Sequence, residues 1–388
     1  MLEIRDYSGS IEDWQQFVVK VWGESYSGKM LFPIWTPDYF RWQTAMAVPP
    51  PEPAATETVP SDKTQTASPF GICATHCTAA YDGDRLVGTI LGIPFRFRGA
   101  SGEFYGSQGS WLSVDAEYRR HKVATKLRDA VRQRHQQLGM FGQFGFVYFA
   151  SRSSQGPRFW GSKKITTDFL QKTGFWARVL NPAKASAWSI SRWDAFTMSL
   201  ARFQPSPRFR SKNFEVREFQ PGDLSRCLEI VNRFAQNTAL SIDWQPASLS
   251  VLLTGKVPAP STSGNSPDSK PGAGRSLIAV RGGEVLGVLA YHLLPFQGRT
   301  VETIAVIDLI AFGDLTGFDR ARFLSAGLER MATEGAVLAL KASFGDYACS
   351  PLWGAGFVPQ PAHSHLILTG ATEGVSLPRV RRSHLIWR

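Results

Sequence analysis

Four basic side chains crowd into ten positions at "YRRHKVATKL", residues 118–127: Arg119, Arg120, Lys122 and Lys126, with His121 among them. Like charges packed this closely repel unless an anion relieves them. The apolar residues Val123, Leu127, Ala130, Val131 and Leu138 recur at helical spacing. This spacing predicts a helix from about residue 118 to Leu138, with Gly139 as its stop. The first turn of a helix carries backbone N–H groups without intrahelical partners and the positive end of the dipole. A phosphate group suits such a place. The plainer reading of a charge run by itself is a solvated basic face.

The rest of the chain bounds what this cluster serves. With 388 residues, 43% hydrophobic and 19% charged, it has an ordinary globular composition and length for two domains. Its net charge of +11 favours an anionic partner: a phosphorylated cofactor, nucleic acid or a membrane surface. Four cysteines (Cys73, Cys77, Cys227, Cys349) make no disulfide framework, which points to a reducing compartment. Cys73 and Cys77 flank His76, but no second metal half-site follows, so no metal site is expected. The opening "MLEIRDYSGSIEDW" carries acids and no apolar run of the kind a signal peptide needs. No stretch reads as a membrane span, and the expectation is a soluble cytoplasmic protein.

Two segments read as flexible insertions, 49–69 and 256–274, both rich in Pro, Ser, Thr and Gly and poor in large apolar residues. Around them the elements recur in order. In the first half, a helix near Ile11–Trp22 and the segment "WTPDYFRW" precede a hairpin. That hairpin joins "THCTAAY" to "RLVGTILGIPFRF" through Asp82-Gly83. "GEFYGSQGSWLSV" (102–114) is a strand leading into the basic helix, and "FGFVYFA" another, followed by a segment ending "FLQKTGF". The second half repeats this: strand, turn and helix at 214–234, and a hairpin about Arg281-Gly282-Gly283. A strand at 303–312, a helix, the strand "AVLALKAS", and "PLWGAGF" echoing "FLQKTGF" complete it. The pattern is an internal duplication of about 180 residues.

Hairpin, central strand, basic helix and terminal Gly-Phe together resemble the GNAT acyltransferase superfamily, here in tandem. Arg119-Arg120-His121-Lys122-Val123-Ala124 matches the Arg and the final small residue of that superfamily's R/Q-x-x-G-x-G/A motif, with Lys122 where Gly is usual. The glycylpeptide N-tetradecanoyltransferase (N-myristoyltransferase) family also lacks that Gly. "TPDYFRWQTAMAVPP", "LVGTILGIP", "WLSV", "QRHQQLGMF" and "VREFQPGDL" are similar to its segments in order. The fold implied is α+β: two tandem GNAT-like domains, each a mixed, mainly antiparallel sheet flanked by helices. The junction falls near 205–213. Residues 1–210 would bind acyl-CoA and 211–388 would form the acceptor side.

The resemblance implies site residues. The amides of Lys122, Val123, Ala124 and Thr125 would hold the CoA pyrophosphate, with Arg119, Arg120, His121 and Lys122 adding charge and Leu112 and Val114 lining the cofactor. The N–H groups of Trp111 and Leu112 would form an oxyanion hole, freed by a bulge that Gly106 and Gly109 permit. The base would be the carboxylate of Arg388, although the tail "LPRVRRSHLIWR" reads at least as well as a loose basic segment, and that is the expectation adopted. Phe149 stands where the family has a Thr, which breaks its proton relay. Asp308, Tyr291, His292 and Asp346 are the remaining candidates for a base. Acids at Asp314 and Asp319 at the corresponding helix start of the second half would repel phosphate, so one CoA site is expected.

The implied activity is an acyl-CoA-dependent N-acyltransferase using acyl-CoA or acetyl-CoA as co-substrate and no metal. Its acceptor would be a peptide N-terminus or a small amine. The alternatives are a short-chain acetyltransferase acting on a small molecule, and a non-catalytic GNAT-fold protein recognising nucleic acid. Acyl length and oligomeric state are left open.

Overall fold

The computed structural model describes residues 2–50, 77–149, 151, 153–162, 166–257, 273–372, 374 and 376–387. The predicted insertions, Cys73 and His76, and Arg388 therefore lie wholly or mostly outside the described residues. Gly274 opens a strand instead of ending the second insertion.

The first half runs β1 (Leu2–Asp6), α1 (Ile11–Tyr26), β2 (Phe32–Pro33), α2 (Pro37–Ala45), β3 (Cys77–Asp82), β4 (Arg85–Gly99) and β5 (Gly102–Val114). It continues with α3 (Val123–Gln137), β6 (Gly142–Tyr148), α4 (Gly156–Trp160), β7 (Asp168–Val179), α5 (Pro182–Trp188) and α6 (Arg192–Leu200). The second runs β8 (Glu215–Glu218), α7 (Leu224–Ala235), β9 (Leu240–Ile242), α8 (Pro246–Thr254), β10 (Gly274–Arg281), β11 (Glu284–Gln297) and β12 (Val301–Ala311). It ends with α9 (Gly317–Thr333), β13 (Leu338–Ser343), α10 (Ser350–Gly354), β14 (Val358–Pro359), β15 (Ser364–Gly370) and β16 (Ser383–His384).

The Asp82-Gly83 and Gly282-Gly283 turns close the two hairpins as expected, with Gly83 at φ +60 and Gly282 at φ +55. Their strands build one continuous path, β1-β3-β4-β5-β6-β15-β7-β13-β12-β11-β10-β8. Pairing is antiparallel except for β5 with β6, β12 with β13 and β16 with β9. Two tandem GNAT-like sheets flanked by helices meet in this path.

The halves are woven together by reciprocal exchange. β15, from the end of the chain, lies against β6 of the first half, while β7 lies against β13 of the second. Likewise β2 pairs with β11 and β9 pairs with β4. Each exchanged strand satisfies backbone groups that would otherwise form an open edge. Trp42 in α2 donates its indole N–H to the Val251 carbonyl of α8 at 3.0 Å, so the matching helices of the two halves are tied as well. Trp14, Trp42, Trp188 and Trp244 are fully buried in a core that both halves share.

Two expectations need correction. The basic segment is not helical from residue 118: 116–121 form a 3-10 turn and the α-helix starts at Val123. "PLWGAGF" does not match "FLQKTGF", which lies inside strand β7. Its counterpart is "GPRFW" in α4. Both α4 and α10 are five-residue helices with a proline as second residue, each following the parallel strand of its half. Proline suits the first turn because N–H groups there have no intrahelical partner.

Candidate active site

β5 and β6 pair at only two positions, Ser107 with Gln143 and Gln108 with Phe144, and then diverge. β12 and β13 pair at four. The first half is thus open where the second is zipped. The gap in the first half is lined by Gly109, Gln143, Gly145, Phe146, Trp160, Ile367 and Thr369.

On the β5 side of this gap the ladder with β4 is broken. Leu91 faces Ser110 and Thr89 faces Ser113, so Trp111 and Leu112 together oppose Ile90. This is the expected bulge, with two residues against one. Trp111 adopts φ +37, a region that costs a bulky residue energy and persists only where surroundings enforce it. Its indole is wedged among the rings of Trp35, Tyr39 and Phe40 at 5.5 to 6.4 Å. Gly109 at φ +139 admits this: a Cβ there would lie 2.9 Å from the Leu91 carbonyl oxygen and from the Trp111 ring. Leu112 is half-buried and packs towards Val147, Trp160 and Ile367 across the gap. Along the same strand Ser107 Oγ, Gln108 Oε1 and Trp111 Nε1 are buried without a hydrogen-bond partner among the described residues.

β5 leads directly into the basic segment. Asp115 caps the 3-10 turn by accepting from the Glu117 N–H at 3.0 Å, and Arg85 pairs with both carboxylates. Lys122 then takes the left-handed conformation, φ +58 and ψ +22, at the position where the superfamily motif has Gly. The first bond of α3 runs from the Lys126 N–H to the Lys122 carbonyl at 3.0 Å. The amides of Val123, Ala124 and Thr125 are left with no intrahelical acceptor. Val123 is buried beneath them, and its methyl would lie 2.7 Å from a Cβ on Gly88, so the Gly of "LVGTILGIP" lets the helix approach the sheet.

The basic residues divide. Arg119 donates through Nη2 to Ser25 Oγ at 2.6 Å and through Nε to the Val114 carbonyl at 3.3 Å, tying the turn to α1. Arg120, His121 and Lys122 are exposed beside the free helix end.

The expectation of a loose tail is overturned for residues 383–387. Ser383 donates its hydroxyl to Gln171 Oε1 at 2.6 Å and its N–H to the Phe344 carbonyl at 3.1 Å. His384 Nδ1 lies 3.0 Å from Asp346 Oδ2, both buried. Leu385 and Ile386 are 2% and 1% exposed, the Gln108 side-chain amide donates to the Ile386 carbonyl, and Trp387 stands edge-on to Phe175. Arg379, Arg381 and Arg382 remain outside. The apolar residues decide the outcome, because burying them outweighs solvating a short basic segment. The chain is thereby brought to β5 beside the gap, with Arg388 outside the described residues. Sequence reading missed Gln108, Gln171 and His384; a polar residue among strand glycines and a His in an apolar run were the available signals.

The candidate bases are separated. Asp308 is the extra residue of a matching bulge in β12, where Tyr291 pairs with Ile307 and Ala290 with Leu309. It meets His292 Nδ1 at 2.7 Å, fully buried. His292 lies under the rings of Tyr39 and Trp42 at 5.4 and 5.3 Å. Asp346 belongs to the tail pair above. Lys341 is buried near both acids; burial pulls its amine below the usual lysine range, opposed by the charges of Asp346 and Asp308. Tyr291 points the other way, donating to Glu334 at 3.0 Å, and burial first and the Glu334 charge second push its hydroxyl up. It is not part of the site. Phe149 is 40% exposed just past the end of β6. Asp314 is paired with Arg226, and Asp319 accepts from Asn213 and Arg322.

No family model matches the sequence, and no curated protein does. Solved structures do match in fold. N-myristoyltransferase of Saccharomyces cerevisiae with bound myristoyl-CoA is 11% identical, covering 100% of this chain and 89% of that one, with a TM-score of 0.67. Another structure of the yeast enzyme, with myristoyl-CoA and inhibitors, is 12% identical over 100% and 86%, at 0.66. A GCN5-related N-acetyltransferase from Anabaena variabilis is 10% identical over 95% and 72%, at 0.51. The fold is therefore one of two GNAT-like lobes, similar to that of N-myristoyltransferase.

Proposed function

We propose that the chain is an acyl-CoA-dependent N-acyltransferase with a single acyl-CoA site in residues 1–210 and its acceptor side in 211–388. One observation carries the reading: the Trp111 bulge faces a parted strand pair and adjoins the partnerless first turn of α3. In this reading the CoA pyrophosphate lies on the amides of Val123, Ala124 and Thr125, with Arg120, His121 and Lys122 beside it. The thioester reaches the gap and its carbonyl oxygen meets the Trp111 N–H, with Leu112 next to it. The second half offers no equivalent: its strand pair stays closed, its bulge is filled by the Asp308–His292 pair and acids stand at its helix start.

An amine nitrogen attacks the thioester carbon and the carbonyl oxygen becomes an oxyanion, which a preorganised N–H stabilises most strongly in a dry site. The intermediate collapses, the C–S bond breaks, CoA leaves as its thiolate and takes up a proton, and an amide remains. The resemblance gives the amine's proton to the Arg388 carboxylate. The docking of 383–387 against Gln108 supports this by bringing the chain to the strand that carries the bulge. The described cysteines Cys77, Cys227 and Cys349 are free thiols, which suits a reducing, cytoplasmic setting.

The test is free-thiol release from acetyl-, octanoyl- and tetradecanoyl-CoA in the presence of Gly-starting peptides or small amines. Release with one donor–acceptor class names the substrate. Absence of release with every pair, together with no CoA binding, refutes the reading.

A further inference from the structure

α6 is unlike every other α-helix of eight or more described residues: it buries none of its side chains. Trp193 is 70% exposed, Phe196 53%, Leu200 43% and Phe203, in the 3-10 turn that continues the helix, 74%. The spacing 193, 196, 200, 203 puts all four on one stripe, and the rings of Trp193 and Phe196 stand 5.9 Å apart. A contiguous exposed apolar stripe marks an interaction surface. Arg192 and Arg202 flank the stripe on the helix and its 3-10 continuation, and Arg208, Arg210 and Lys212 follow in the next segment, where the Phe209 N–H donates to the exposed carboxylate of Glu329 at 2.9 Å. Arg192, Arg202, Arg208, Arg210 and Lys212 are all exposed, none is ion-paired with a described residue, and Asp194 is the one acid in 192–212. Asp194 lies near Tyr148 at the end of β6, where its charge adds to the burial that raises the tyrosine hydroxyl. The start of α6 therefore lies near the end of β6.

We propose that residues 192–212 form a docking surface for an anionic lipid bilayer. Trp193, Phe196, Leu200 and Phe203 enter the headgroup boundary, and the flanking arginines and Lys212 meet phosphate headgroups. Aromatic and leucine side chains on one face with basic residues around them are what an interfacial helix presents to a membrane. A second copy of this chain is the poorer occupant, since a two-fold contact would set the same five cations against one another. The attachment is peripheral, because no helix among the described residues is long and apolar enough to cross a membrane. The proposal stands on exposure and charge and does not depend on the acyltransfer reading.

The test is co-sedimentation of the full chain with phosphatidylcholine vesicles, with and without about 30% phosphatidylserine. Binding is expected to the anionic vesicles, falling as salt rises from about 0.1 to about 0.5 M. The combined variant Trp193→Ser, Phe196→Ser, Leu200→Ser and Phe203→Ser should weaken it at least about tenfold. Its melting temperature should be unchanged, since all four side chains are exposed. Arg192→Glu with Arg202→Glu should weaken it by a further independent route. The proposal is overturned if the unaltered chain does not pellet, if it pellets equally with neutral vesicles, or if the serine variant binds as well. A concentration-dependent dimer that the serine variant abolishes would overturn it too, by assigning the stripe to self-association.

Discussion

The Gln108 side-chain amide donates to the Ile386 carbonyl, joining the centre of β5 to the end of the chain across 278 positions. One hydrogen bond thus couples the strand that carries the Trp111 bulge to the segment leading to Arg388. Gln108→Leu removes the donor and leaves a buried carbonyl unsatisfied, which costs about 1–3 kcal/mol. A lowered urea midpoint at unchanged slope checks this.

Removing residues 386–388 should act on turnover more than on binding. If this segment delivers the proton acceptor, kcat should fall about 10²–10⁴-fold. Adding two glycines after Arg388 moves a carboxylate while keeping the docked residues and should give a comparable loss. Unchanged kcat in both variants would take the tail out of the mechanism and leave Asp308 or solvent as the base.

Arg119 and its neighbours should separate in calorimetry. Arg120→Glu with Lys122→Glu is expected to weaken CoA binding by about tenfold or more, since two charge-assisted contacts become repulsive. Arg119→Ala should instead lower the melting temperature, because its guanidinium holds α1 through Ser25. Equal effects on affinity from both changes would refute the division.

Lys122 bears a backbone cost. At φ +58 a non-glycine residue is disfavoured by about 1–2 kcal/mol, so Lys122→Gly should raise stability or leave it level despite glycine's freedom in the unfolded chain. CoA affinity should fall at the same time, through the lost ammonium. Reduced stability would show that the left-handed turn is not strained.

Lys341 predicts a pH dependence. Its folded pKa lies below the ordinary 10.5, first through burial, with the Asp346 and Asp308 charges opposing. Between the lowered value and 10.5 the unfolded chain binds more protons than the folded one, so stability rises with pH across that window. Cys77 and Cys227, both pushed up to about 12 by burial, act in the opposite sense above the ordinary thiol range. The measurement is therefore a difference: wild type minus Lys341→Met, followed by chemical unfolding from neutral to alkaline pH. The difference should move in favour of wild type as pH rises, and a flat difference would refute the assignment.

Local chemistry made much of this protein legible in its sequence. Asp82-Gly83 and Arg281-Gly282-Gly283 announce hairpins because positive φ is cheapest at glycine, and both hairpins form. The strand 102–114, the bulge at residues 111 and 112 and the basic start of α3 follow from residues adjacent in the chain. What pairs over distance was decided by tertiary structure. β15 enters beside β6 and β7 beside β13 because an open strand edge takes whichever complementary strand the packed core delivers, and no local pattern names that partner. The same reason explains Arg119 and the tail. Arg119 turns to Ser25 because α1 lies beside the turn. Leu385 and Ile386 are buried in a core cluster to which both halves contribute. Charge and turn chemistry act within a few residues and can be read along the chain; edge pairing and burial depend on what the rest of the fold places nearby.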